Sequence, residues 1–140
     1  MKNSLLTLIA FFTLSVLGTI TAQAQSTKTF MGQLDVTASD LGATITNANQ
    51  QVTVIDYGST ATVSINNLEI AGYTGVSVTL DVTKDSVTGN ITGYSNLTVS
   101  GVSGVKCKGV SGNITTDNCT LSLNLTKSII RVTVDFQSNE

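Results

Sequence analysis

The side chains that could do chemistry in this chain are carboxylates and thiols, because the chain has no histidine. Histidine is the most frequent proton-transfer group near neutral pH and the commonest ligand of transition metals. Its absence excludes Ser-His and Cys-His nucleophiles. Asp35, Asp81 and Asp135 fall on the solvent-facing phase of predicted strands, and no sequence motif pairs them. We therefore expect no catalytic site and no enzyme activity.

Three further carboxylates, Asp56, Asp85 and Asp117, lie in predicted turns, where an aspartate side chain accepts hydrogen bonds from its own backbone. Calcium binding needs several oxygen ligands at loop spacing, and the sequence has no such run. We predict no metal site and no cofactor.

The two cysteines, Cys107 and Cys119, allow two interpretations. In an oxidising compartment a disulfide is the default for such a pair, and it would contribute roughly 3 kcal/mol. A hairpin turn at Thr116 and Asp117 would set the cysteines out of register, which favours two free thiols that pack as small apolar side chains. The sequence leaves both open.

The elements that position these residues are β-strands, because apolar and polar side chains alternate with a period of two. The alternation is clearest at 30–36, 76–82, 119–125 and 130–136. The predicted core is formed by Val78, Leu80, Leu121, Leu123, Val132 and Val134. Weaker strands are predicted over 51–57, 60–70, 87–92, 96–102 and 110–115. The total is about eight or nine strands.

Short strands joined by Gly, Asn, Asp and Ser predict an all-β fold, an antiparallel meander in a barrel or, alternatively, a β-sandwich. We expect tight turns at 56–59 and 85–86 and a looser loop at 47–50. Two similar segments, 89–100 and 112–122, predict two hairpins built alike.

The first 24 residues predict an export signal. Lys2 gives a basic start, residues 5–20 are mostly apolar, and Ala22-Gln23-Ala24 is a small-x-small cleavage site. The apolar stretch is shorter than the roughly 20 residues that cross a bilayer. We expect cleavage before Gln25, a single domain at 25–140, no transmembrane anchor, and a periplasmic or extracellular location. Seven basic and nine acidic residues without a basic run argue against nucleic acid as a partner.

The order of these elements resembles the secreted calycin-like domain family of Bacteroidetes, lipocalin-like β-barrel proteins of unknown function. The similarity is carried by the Ala-Gln-Ala-Gln at 22–25, the opening strand at 30–36, the run at 62–68 that leads to two glycines, and the closing segment at 112–136. It implies a calycin-like barrel or half-barrel with a lipophilic cavity. The Gly-x-Trp signature of true lipocalins is absent, since the chain has no tryptophan.

We therefore expect a secreted, non-enzymatic binding protein for a small apolar ligand or an envelope protein partner. Tyr73 and Tyr94, each next to a glycine in or near predicted loops, are candidates for a pocket rim. Asp85-Ser86-Val87 is similar to a short O-glycosylation triplet of Bacteroidetes, which makes Ser86 a candidate acceptor. The alternative function is a structural or adhesive, fimbrial-type surface subunit that polymerises by strand addition.

Overall fold

The structure is a computed structural model that describes residues 25–139, so the predicted export signal lies outside the described residues. The strands are β1 (Ser26–Ala38), β2 (Ala43–Asp56), β3 (Thr60–Ile70), β4 (Tyr73–Lys84), β5 (Ile91–Ser100), β6 (Val105–Ile114), β7 (Cys119–Lys127) and β8 (Ile130–Ser138). One turn of 3-10 helix, Ser39–Leu41, joins β1 to β2. Within 25–139 we find no helix with the length and hydropathy of a membrane span.

All eight strands belong to one antiparallel sheet that curls into a nearly closed barrel. Each strand pairs with its successor from β1 to β5 and again from β6 to β8, and β8 pairs with β1. The predicted all-β meander barrel is confirmed. Because the strands form a single sheet, a barrel and not a β-sandwich describes the fold.

The core is built from the apolar side chains at alternating strand positions, which point to the same side of a pleated sheet. The six residues predicted for the core are each at most 3% exposed. The terminal strands add Phe30 and Phe136, which are 7% and 2% exposed. The period-two pattern therefore assigned the inner face correctly on β4, β7 and β8.

The barrel closes where β1 approaches β8 at Gly32, which lies opposite Ser138. A Cβ atom at Gly32 would overlap the carbonyl oxygen of Gln137 and lie 2.6 Å from Ser138 Cα. Real Cβ atoms essentially never make such contacts. Glycine at this position therefore permits the two terminal strands to pair.

The segment at 47–50, predicted as a loop, lies inside β2, and the strand predicted to begin at 51 begins at Ala43. The register of β2 against β1 shifts between Gly32 and Leu34, so a bulge absorbs one extra residue of β2 there. Asn47 Oδ1 accepts a hydrogen bond from Asn49 N at 3.1 Å. This local contact is typical of turns, which explains why the sequence there indicates a loop.

Residues 91–100 form the single strand β5, where the sequence predicted the end of one strand, a turn and a second strand. Asn96 adopts a φ of 51° beside a register shift in the pairing with β4. Its Nδ2 donates to Asp81 Oδ2 at 3.0 Å, which ties the bulge to β4 and lets the strand continue. The first of the two predicted hairpins is therefore wrong, whereas the second is present as the β6–β7 turn around Thr116 and Asp117.

Candidate functional site

In the part of the chain that the structure describes, the barrel is open between β5 and β6, and we call this gap the seam. The two strands follow each other in the chain but lie at opposite ends of the sheet order. One isolated bridge, between Asn90 and Asn113, and a 2.9 Å hydrogen bond from Ile114 N to Gly89 O close one end of the seam. The loop at 101–104 joins the strands at the other end.

Both strands that border the seam carry a bulge in the ladder to their outer neighbour. The β4–β5 register shifts between Thr79 and Asp81, and the β6–β7 register shifts between Cys107 and Gly109. A bulge bends its strand and increases the local twist.

The seam leaves side chains of the inner face of the barrel partly accessible. No residue of β5 is buried, and β6 contributes only Ile114 to the buried core. The half-buried apolar residues along the two strands are Ile91, Leu97, Val99, Val105, Cys107 and Val110. Inward residues on strands with two neighbours, such as Val78 and Leu123, are 1% exposed. The seam therefore offers apolar surface that a bound molecule could cover.

Tyr94 reaches across the seam. It pairs with Val82 on β4, which places its side chain on the inner face, yet it is 41% exposed. Its hydroxyl donates a hydrogen bond to the carbonyl oxygen of Cys107 on β6 at 3.1 Å. Charge repulsion from Cys107, followed by desolvation, raises the pKa of Tyr94 above its ordinary value.

The rim of the seam is positively charged in a chain whose formal net charge is −2. Lys106 and Lys108 are exposed and alternate with the inward residues of β6. Between Asp85 and Asp117 the sequence contains no carboxylate. The neighbouring Asp81 on β4 accepts hydrogen bonds from Asn96 and Thr62, and the first of these is the main reason why its pKa is lowered.

The structure does not bring Tyr73 and Tyr94 together. The partner of Tyr94 on β4, Val82, is nine residues from Tyr73, or about 30 Å along a strand. Tyr73 lies at the start of β4, is 47% exposed, and has the Lys127 ammonium 5.6 Å from its ring centroid. Of the two tyrosines predicted for a pocket rim, only Tyr94 lies in the seam.

Both cysteines are free thiols in the structure. On β7, Cys119 pairs with Ile114 whereas the partner of Cys107 is Leu125, six residues further along. That separation is about 20 Å, far beyond the distance that a disulfide spans. The register of the β6–β7 hairpin therefore keeps the thiols apart.

We expect Cys119 to be unreactive in the native protein, because burial raises the pKa of its thiol to about 12 and the thiolate is the reactive form. At pH 8 a thiol-specific reagent should modify the half-buried Cys107 slowly and Cys119 after unfolding in guanidinium. Thiol titration of Cys107→Ser and Cys119→Ser proteins assigns each reaction. A chain that shows no thiol after unfolding without reductant would contain the disulfide and contradict this structure.

Asp35 and Asp135 lie directly opposite each other on the outer faces of β1 and β8. They line an open groove of about 480 Å³. Thr46 Oγ1 donates to Asp35 at 2.6 Å, and Ser122 Oγ donates to Asp135 at 2.7 Å. Acid–base pairs need environments that differ between the two carboxyls, and here both accept a hydroxyl hydrogen bond on the outer surface. Among the described residues, no group of three or more His, Cys, Asp or Glu is arranged to hold a metal.

At two of the three predicted positions, the turn carboxylate accepts a hydrogen bond from a backbone N–H group. Asp56 Oδ1 accepts from Gly58 N at 2.8 Å, and Asp85 Oδ1 accepts from Val87 N at 2.8 Å. In the β6–β7 turn the acceptor is Thr115 Oγ1 and not the side chain of Asp117, so that expectation is wrong. Ser86 lies exposed in the β4–β5 turn.

The larger pockets of the described residues lie on the outside of the barrel, and a small one of about 20 Å³ touches the core residues Phe30, Val54 and Ile114. Besides the groove on β1 and β8, open pockets of about 330 and 280 Å³ lie on the surfaces of β3–β4 and β2. The central inward side chains fill the barrel with apolar groups, as narrow barrels allow.

No family model, curated protein or solved structure matches this chain. The function is therefore argued from the geometry of the seam.

Proposed function

We propose that the protein is an exported, non-enzymatic binding protein and that it binds a protein partner of the cell envelope at the seam between β5 and β6. The observation that carries the proposal is the row of half-buried apolar side chains along two strand edges that form no ladder with each other. Exposed apolar surface rimmed by polar groups is typical of interaction sites.

Two features favour the seam over a central cavity for a lipophilic ligand. The central inward residues, such as Ile65 and Leu80, are 1% exposed and pack against one another. The seam, in contrast, combines accessible apolar side chains with the polar hydroxyl of Tyr94 and two lysines. The relation to calycin-like domains remains part of the proposal, supported by the barrel and the order of its strands.

The second candidate function is a structural or adhesive surface subunit, because the seam could also accept a donor strand from another copy. Both described terminal strands are built into the barrel, however: β1 pairs with β2 and β8, and β8 pairs with β7. A donor strand taken from β1 or β8 would therefore have to leave its own barrel first, which makes this function the less favoured one.

Photo-crosslinking in the natural host tests the proposed function. Tyr94 and Tyr73 are similarly exposed and far apart, so p-benzoylphenylalanine in place of each gives a matched pair. We expect a discrete protein adduct from position 94 and none from position 73. Equal adducts from both positions, or none from position 94, would contradict the proposal.

A second pair of variants locates the contact. Leu97 is half buried in the seam, and the adjacent Thr98 is exposed on the outer face. Leu97→Ser should abolish the adduct formed from position 94, whereas Thr98→Ala should retain it. Thermal denaturation of both variants separates loss of binding from loss of folding.

A further inference from the structure

The seam has the properties of a site for one additional β-strand, and this inference rests on the proposed function. Strand edges carry rows of backbone N–H and C=O groups that pair with an added chain. Among the described residues, the contacts across the seam are the isolated bridge between Asn90 and Asn113 with the adjacent hydrogen bond from Ile114 N to Gly89 O at one end, and the hydrogen bond from the Tyr94 hydroxyl to Cys107 O. A hydrocarbon ligand would cover the apolar lining but would leave these backbone groups without partners.

The pattern of side chains on the two strands defines the guest strand. Inward positions of the seam are apolar, so the guest needs apolar side chains at every second residue. The outer side is flanked by Lys106 and Lys108, and no carboxylate occurs between Asp85 and Asp117. Acidic side chains on the alternate residues of the guest would face these lysines.

The length of the guest follows from the two closed ends of the seam. The bridge between Asn90 and Asn113 closes one end, and the loop at 101–104 closes the other. Because both ends of the seam are closed, the guest chain must enter from outside the barrel and turn out again. Only its central part can pair with β5 and β6, which is about six residues, or roughly 20 Å. Tyr94 would give up its hydrogen bond to Cys107 O when the guest enters.

We propose that the seam binds a short extended segment of a partner protein in which apolar and acidic residues alternate, and that this segment pairs with β5 and β6 as an added strand.

The probe is a capped octapeptide in which valine alternates with glutamate and threonine. Three controls accompany it: the same peptide with lysine in place of glutamate, the glutamate peptide with alternate backbone amides N-methylated, and dodecanoate. Calorimetry measures the binding of each peptide, and amide hydrogen exchange of the protein shows where the peptide binds. We expect the glutamate peptide to bind and to slow amide exchange in β5 and β6 but not in β1 and β8.

Charge and backbone pairing are then separated. The double variant Lys106→Glu/Lys108→Glu should lower the affinity for the glutamate peptide by about tenfold, which corresponds to the loss of two exposed ion pairs. The same variant should raise the affinity for the lysine peptide. Lys28→Glu, on β1, is the control and should change neither. The N-methylated peptide should not bind, because it lacks the donors of an added strand.

Several outcomes would overturn this inference. Binding of dodecanoate without the peptide would make the seam a lipid site, and equal binding of the N-methylated peptide would exclude strand pairing. Failure of every peptide, while position 94 still crosslinks a protein in cells, would reject the added strand but leave the proposed function intact. If the crosslink also fails, both are rejected.

Discussion

Replacing Leu123 by alanine should lower the free energy of unfolding by about 2 to 5 kcal/mol. Leu123 lies on β7, is 1% exposed, and pairs with Val110 on one side and Val134 on the other. Truncation removes buried apolar surface and leaves a cavity that close-packed neighbours fill only in part. Urea unfolding followed by circular dichroism measures the effect.

The adjacent residue provides the control for this experiment. Asn124 is exposed on the outer face of β7, so Asn124→Ala should change the stability by no more than about 0.5 kcal/mol. If Asn124→Ala proved the more damaging of the two, the inner and outer faces of β7 would be exchanged and the barrel described here would be wrong.

Gly32→Ala should destabilise the protein by about 3 kcal/mol, at the upper end of what overpacking in a core costs. The added methyl group would collide with backbone atoms of Gln137 and Ser138, which cannot rotate away as a flexible side chain would. Relief requires β1 and β8 to separate, which weakens the pairing that closes the barrel. The midpoint of urea unfolding should fall accordingly.

Gly109→Ala is the control for Gly32→Ala. A Cβ atom there would lie 3.7 Å from Asn124 Nδ2, an ordinary van der Waals distance. We expect a change within about 1 kcal/mol, with either sign. Equal tolerance of alanine at both glycines would show that β1 and β8 do not approach closely in solution.

The inner faces of the strands could be predicted from the sequence because period-two alternation is a local property. Val132, Val134 and Phe136 alternate with polar residues, and their burial follows from the pleat of the strand alone. The turn at Asp56 was predictable for the same reason, since its contact with Gly58 N lies two residues away.

Features that depend on distant strands could not be predicted in this way. The bulge at Asn96 is held by Asp81 on β4, and the sequence around Asn96 taken alone indicates a turn. The pairing of Asp35 with Asp135 exists because the first strand meets the last. The seam is a missing ladder, and alternation is the same in a paired strand and an unpaired one.

The pairing of β1 with β8 also sets the order in which the protein can fold. Every other ladder joins strands that are neighbours in the chain, so those hairpins can form early. The closing ladder joins the two ends of the described chain, and proteins rich in such distant contacts fold slowly, in milliseconds to seconds. A chain that is synthesised from its N-terminus therefore keeps the edge of β1 open until β8 is complete. During that interval the unpaired edge of β1 is vulnerable to aggregation, and a chaperone would have most to protect there.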